Sequence, residues 1–126
     1  MNDALRVLIA EDEPLVSMML EEILTDLGVN VTSVAATLPD AIAAVEKGNI
    51  DCALLDMNLQ GERADPVAAC LAERSTPFAI LSGGETEAEQ LGAVVFVPKP
   101  YRFADIERTM DAIRQEIDKR GNRLGT

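Results

Sequence analysis

The chain has 126 residues, 48% apolar and 26% charged, which suffices for one domain with a buried core and excludes both a second folded unit and a disordered polymer. Its 22 acidic residues against 11 Lys and Arg leave a net charge of −11, which repels phosphate backbones and anionic lipid and argues against direct nucleic-acid binding. No apolar run approaches the roughly 20 residues that cross a bilayer, and Met1-Asn2-Asp3-Ala4-Leu5-Arg6 lacks the basic flank and long apolar stretch of a secretory signal, so no membrane insertion and a cytoplasmic location are expected.

Arg6-Val7-Leu8-Ile9-Ala10 reads as a strand buried on both faces, stopped by Glu11-Asp12-Glu13-Pro14. Pro14 suits a first helical turn. Val16, Met19, Leu20, Ile23, Leu24 and Leu27 then recur every three or four residues, and Gly28 ends the helix. Val29 to Ala35 reads as a second strand. Thr37 caps a helix through Ala41, Ile42 and Val45 to Gly48. Cys52-Ala53-Leu54-Leu55 is the third strand, ending at Asp56, and a loop through Gly61 leads to Asp65-Pro66, a cap with proline at the first helical position. Val67, Cys70 and Leu71 share one face of that helix. Phe78 to Leu81 is the fourth strand and Ala93 to Val97 the fifth. Phe103, Ile106, Met110, Ile113 and Ile117 form the stripe of a closing helix, with a frayed tail from Gly121. Strand and helix alternate five times, the pattern of an α/β doubly wound parallel sheet covered by helices on both faces.

In such sheets ligands bind beyond the carboxyl ends of the strands. Those ends carry Glu11 and Asp12, Asp56, Ser82 and Lys99, which should converge on one edge. Carboxylates gathered there repel one another, by about 4 kcal/mol per pair at roughly 4 Å and an effective dielectric near 20, and so call for a cation. Oxygen ligands alone favour magnesium, with manganese as a substitute. The chain has no histidine, which removes zinc and Cys-His chemistry from Cys52 and Cys70 and leaves any phosphate handling to carboxylates. An aspartate can attack phosphorus and hold an acyl phosphate, while a metal ion, an ammonium and a hydroxyl neutralise the phosphoryl oxygens.

Leu8-Ile9-Ala10-Glu11-Asp12-Glu13, Leu54-Leu55-Asp56-Met57-Asn58-Leu59, Ile80-Leu81-Ser82-Gly83 and Val97-Pro98-Lys99-Pro100-Tyr101 together resemble the response-regulator receiver (CheY-like) family of two-component signalling, from about Arg6 to Lys119. The resemblance implies a flavodoxin-like fold with a five-stranded parallel sheet in the order 2-1-3-4-5. It implies that Asp56 accepts a phosphoryl group from a sensor histidine kinase or histidine phosphotransferase. It further implies that Asp12 and Asp56 bind Mg2+ directly, that Glu11 acts mainly through water, and that the backbone carbonyl of Asn58 completes the metal ligands. Ser82 becomes the switch hydroxyl, Lys99 the phosphoryl-contacting lysine, Phe96 the aromatic that turns inward on activation, and Lys99-Pro100 a cis bond. The intervals from Asp56 to Ser82 and from Ser82 to Lys99 are shorter than is usual in the family, which implies trimmed third and fourth helices.

Pro77-Phe78 and Ser82-Gly83 resemble a subgroup of stand-alone receivers that work with kinases of the HWE type. The leading expectation is therefore a stand-alone, non-enzymatic receiver in two-component or phosphorelay signal transduction, switching a surface for a protein effector. A docking module that is never phosphorylated fits poorly with the full site set. Aspartate-nucleophile phosphatases place a second aspartate where this chain has Asn58, and a flavin phosphate would meet Glu11-Asp12-Glu13, so both enzyme readings are disfavoured.

Overall fold

The computed structural model describes residues 4–81 and 85–125. Five strands form one parallel sheet: β1 (Arg6–Ala10), β2 (Asn30–Ala35), β3 (Cys52–Leu55), β6 (Phe78–Ile80) and β7 (Val95–Phe96), in the order β2-β1-β3-β6-β7. Counting sheet strands alone, this is 2-1-3-4-5. Successive residues of β1 alternate between two cores. Leu8 and Ala10 join Ala53, Leu55 and Ile80 under α2 (Leu38–Lys47) and α3 (Asp65–Glu73), whereas Val7 and Ile9 join Leu54, Ala79 and Leu81 under α1 (Pro14–Asp26) and α5 (Phe103–Gly125). A strand with period-two side chains and helices on both faces must be apolar throughout. That is why β1 and β3 read as unbroken hydrophobic runs.

Helix ends account for most boundary differences from the sequence reading. Leu24 of α1 accepts the Val29 N–H at 2.9 Å, and Gly28 adopts φ 79°, so the β2 ladder starts at Asn30 rather than Val29. The Ala93 N–H donates to Ala88 of α4 (Glu85–Gln90) at 3.0 Å, which delays β7 to Val95. Thr37 caps α2 as expected, accepting the Asp40 N–H at 3.2 Å. Asp65 does not cap α3: the helix begins at Asp65 itself after Ala64, and the carboxylate is taken by Arg63 at 2.7 Å. The third and fourth helices are short, nine and six residues. The closing helix continues through Gly125, past the position where a frayed tail was expected.

Two stripe residues face water instead of the core. Met19 lies beside Pro100 and Tyr101 on the rim of a groove, and Phe103 is exposed at the start of α5. Phe103 is the first residue of α5, whereas Met19 lies in the second turn of α1. Among the described residues no helix is long and apolar enough to cross a membrane. Cys52 is buried and Cys70 half-buried, both as free thiols, and burial pushes the Cys52 thiol up to about 12.

The segment after β3, which the sequence reads as a plain loop, is a small antiparallel hairpin of β4 (Asn58–Leu59) and β5 (Glu62–Arg63). Its two turn residues, Gln60 and Gly61, both have positive φ, 54° and 85°. This is the backbone demanded by a two-residue turn that matches the strand twist. The Leu59 side chain is completely buried and ties the hairpin to the core.

Because Leu54 is fully buried in the central strand, Leu54→Ala is expected to destabilise the domain by about 3 kcal/mol through lost transfer energy and a residual cavity. Urea unfolding would show this as a lower midpoint at an unchanged slope.

Candidate functional site

The last described pair between β1 and β3 is Ala10 with Leu55, so Glu11 and Asp56 stand one step beyond it on neighbouring strands. Two backbone bonds hold them there. Asp56 donates its N–H to Ala10 at 2.9 Å and Glu11 donates to Ala35 at 3.0 Å. Adjacent strands run only about 4.8 Å apart, which forces the two carboxylates together. Asp12 joins them, and one carboxylate oxygen from each of Glu11, Asp12 and Asp56 lies within 4.8 Å of the others. Glu11 is 1% exposed and Asp56 4%.

The surroundings fix each acid differently. One Glu11 oxygen accepts the Glu13 N–H at 3.1 Å, while Oε1 is buried without a hydrogen-bond partner. Burial, and beyond it the nearby Asp56 and Asp12, raise the Glu11 carboxyl to about 7 despite the bond from Glu13. Asp12 accepts the Gln60 N–H at 2.8 Å, which ties the hairpin to the cluster. Asp56 accepts the Asn58 N–H at 3.0 Å, and the Asn58 side chain in turn accepts the Gly61 N–H at 2.8 Å.

Lys99 approaches from the loop after β7. Its Nζ is 4.0 Å from Asp56 Oδ2 and 3.4 Å from Glu13 Oε2, and the Lys99-Pro100 bond is cis. Burial opposes the ammonium, but Asp56, Glu11 and Glu13 outweigh it and hold its pKa above the usual lysine value. Asp12, Glu13, Asp56 and Lys99 line a cleft of about 720 Å3 that also includes Met57, Asn58, Gly61, Glu62 and Arg63.

The structure thus brings Glu11, Asp12, Asp56, Asn58 and Lys99 together. Ser82 lies outside the described residues. Phe96 is half-buried at the sheet edge, paired with Ile80 and packed on the α2/α3 core. Three contributors went unread in the sequence. Glu13 shares Lys99 with Asp56, and Arg63 reaches the rim through a hairpin whose Gln60-Gly61 turn was the available signal. Tyr101 donates its hydroxyl to the Leu81 carbonyl at 2.6 Å, anchoring the Lys99 loop to the core.

The donor set fits a hard divalent cation. It offers oxygens only, among them an orphaned buried carboxylate oxygen aimed into a cluster of acids. A doubly wound sheet with an acidic, lysine-capped cleft at its carboxyl edge is one defined class of α/β domain. The chain belongs to the response regulator receiver domain family, whose pattern it matches over residues 7–111, and hence to two-component signalling.

It is similar to the solution structure of SdrG from Sphingomonas melonis Fr1, with 36% identity and a TM-score of 0.77 over 90% of this chain and 98% of that one. It is 26% identical to the chemotaxis protein CheY-3 of Vibrio cholerae, covering 93% of this chain and 97% of that protein. It is 27% identical to the transcriptional regulatory protein PdtaR of Mycobacterium tuberculosis over 80% of this chain. The chain spans about half the length of the transcriptional regulators it matches.

Since the Glu11 carboxyl sits above its ordinary range, its ionisation removes stability from the metal-free protein as pH rises from about 4.5 through about 7. Glu11→Gln keeps the acceptor for Glu13 and deletes the charge. In excess chelator it is expected to raise the Tm by roughly 3–8 °C near pH 8 and by less near pH 5.5. A lower Tm at the higher pH would contradict the crowded-charge account of the cluster.

Proposed function

We propose that this domain is a phosphoacceptor: Asp56 takes a phosphoryl group in the presence of Mg2+, and the modified site changes a surface read by a protein partner. The observation that carries the reading is the placement of Asp56 between two further carboxylates and an ammonium at the mouth of one cleft. Glu11, Asp12 and Asp56, with the Asn58 backbone carbonyl, would hold the cation, Glu11 acting mainly through water. When bound, Mg2+ supplies positive charge to both the carboxylates and the incoming phosphoryl oxygens.

The chain's own residues do the rest. An Asp56 oxygen forms the bond to phosphorus as the bond to the donor's imidazole nitrogen breaks, and the imidazole leaves with that electron pair and takes up a proton. The bond Asp56 accepts from Asn58 orients its carboxylate. Lys99, already charged and 4.0 Å from Asp56, moves onto a phosphoryl oxygen. Ser82 would donate to another, and Phe96 would turn inward as that strand end shifts.

The donor class is a sensor histidine kinase or a histidine phosphotransferase, the HWE type included, and the receiver of the signal is a protein effector. Loss of the phosphoryl group to water is a property of the acyl phosphate, not an enzymatic activity on an external substrate. A cytoplasmic location is where such donors present their phosphohistidine.

Incubation with a small phosphodonor and Mg2+ is expected to add one phosphoryl group by intact mass, lost in Asp56→Ala and in excess chelator. Unlabelled protein, beside a receiver that labels under the same conditions, would overturn the reading. Lys99→Ala is expected to slow labelling on the order of 10²-fold, while Mg2+ affinity stays equal or rises because a competing cation has left the cleft.

A further inference from the structure

The hairpin places a second cation on the rim of the cleft. Arg63 lines it together with Lys99, and in the hairpin register Arg63 stands opposite Asn58, whose N–H is bonded to Asp56. Opposed residues in an antiparallel pair have Cα atoms about 4.5–5.5 Å apart, so the long arginine side chain starts beside the site. Its guanidinium is directed elsewhere: Nε donates to Asp65 at 2.7 Å and Nη2 to Glu87 of α4 at 2.5 Å. The arginine side chain is 58% exposed and that of Glu87 33%. The helix it holds has only six residues, of which Ala88 is buried.

We propose that Arg63 is a further phosphoryl-binding residue of this site, held away from it by Asp65 and by Glu87 of α4, so that a phosphoryl group in the cleft draws the guanidinium off α4. The inference rests on Asp56 being the phosphoacceptor. A phosphoryl group offers three acceptor oxygens and close to two negative charges, against one for Glu87, and a planar guanidinium matches such oxygens through paired N–H donors. An exposed carboxylate-guanidinium pair contributes little on its own and is readily exchanged. Because Glu87 and the phosphoryl group compete for one guanidinium, each weakens the other's hold by the same factor. Occupancy of the cleft therefore loosens α4 from the hairpin without any contact between α4 and the phosphoryl group.

Competition makes a prediction that a merely structural tie does not. Beryllium fluoride with Mg2+ serves as the phosphoryl mimic, and its affinity for the full chain is measured by calorimetry. Arg63→Ala is expected to weaken binding roughly 3- to 10-fold, with Arg63→Lys in between because it keeps the charge and loses the fork. Glu87→Gln is expected to tighten binding about 2- to 5-fold, and the double variant to match Arg63→Ala. Amide exchange over residues 86–91 should rise on adding the mimic to the unaltered protein, and be high from the start in Glu87→Gln. Thermal melts check that each variant is folded. Weaker or unchanged binding by Glu87→Gln, or wild-type affinity in Arg63→Ala, overturns the competition. Protein that takes up neither mimic nor phosphoryl group overturns the phosphoacceptor reading beneath it.

Discussion

Three carboxylates within 4.8 Å of one another are the constraint around which the rest of the domain is arranged. Left to themselves they would separate, since each pair repels and two of the three are almost without solvent. What holds them is backbone. Glu11 and Asp56 extend adjacent parallel strands, each donating its backbone N–H to a carbonyl of the neighbouring strand, and below them β1 and β3 are apolar on both faces. The alternate side chains of these strands feed two separate cores, so shifting either strand would disturb both. The folding energy of the sheet thus maintains a local electrostatic conflict that a divalent cation would relieve. Such preorganised charge needs no rearrangement at the moment of reaction.

The cations of the cleft are mounted differently from the acids. Lys99 is half-exposed on a loop and divides its attention between Asp56 and Glu13. Arg63 stands on a two-residue strand and is paired outward. The two ends of the Lys99 loop are fixed, one by the Val97 N–H bonded to Ile80 and the other by the Tyr101 hydroxyl bonded to Leu81 and the burial of its ring. Acids on rigid strand ends and cations on adjustable side chains form a site in which the position of a metal ion would be set in advance, and contacts to a larger anion would form as it arrived. The same division explains why the burial-driven pKa rise falls on Glu11, at the buried strand end, while Lys99 retains its charge.

Much of this was legible in the sequence because it depends on period and position. Two-faced strands, Thr37 and Gly48 at the ends of α2, and chemistry-bearing residues just beyond the strands are short-range signals. The convergence of Glu11, Asp12, Asp56 and Lys99 followed from sheet topology alone. What escaped was decided by partners far apart in the chain. Asp65 resembles a cap but is claimed by Arg63, and Met19 and Phe103 continue helical stripes yet are exposed. The Gln60-Gly61 turn was hidden because glutamine is an unusual residue at positive φ. The hairpin owes its place to Leu59 in the core and to the bond between Gln60 and Asp12, neither of which has a local signature. Ser82, the remaining member of the expected set, lies outside the described residues.

Stability is distributed unevenly across the sheet, and this decides where a change at the cleft can be expressed. At the centre, β1 is paired on both sides over four or five residues and is buried almost throughout. At the far edge β7 is a two-residue strand with half-buried side chains, and α4 rests on it through a single fully buried alanine and partly buried neighbours such as Leu91. Elements with few buried contacts open at low free energy, whereas central strands open only with the whole domain. A ligand shifts an equilibrium only by its differential affinity for the two states. On the proposed phosphoacceptor reading, a charge added beside Asp56 would leave β1 and β3 in place and act on β7, α4 and the hairpin that touches α4. The carboxylate cluster is built on the doubly paired, buried centre of the sheet, and the elements free to respond lie at its β7 edge.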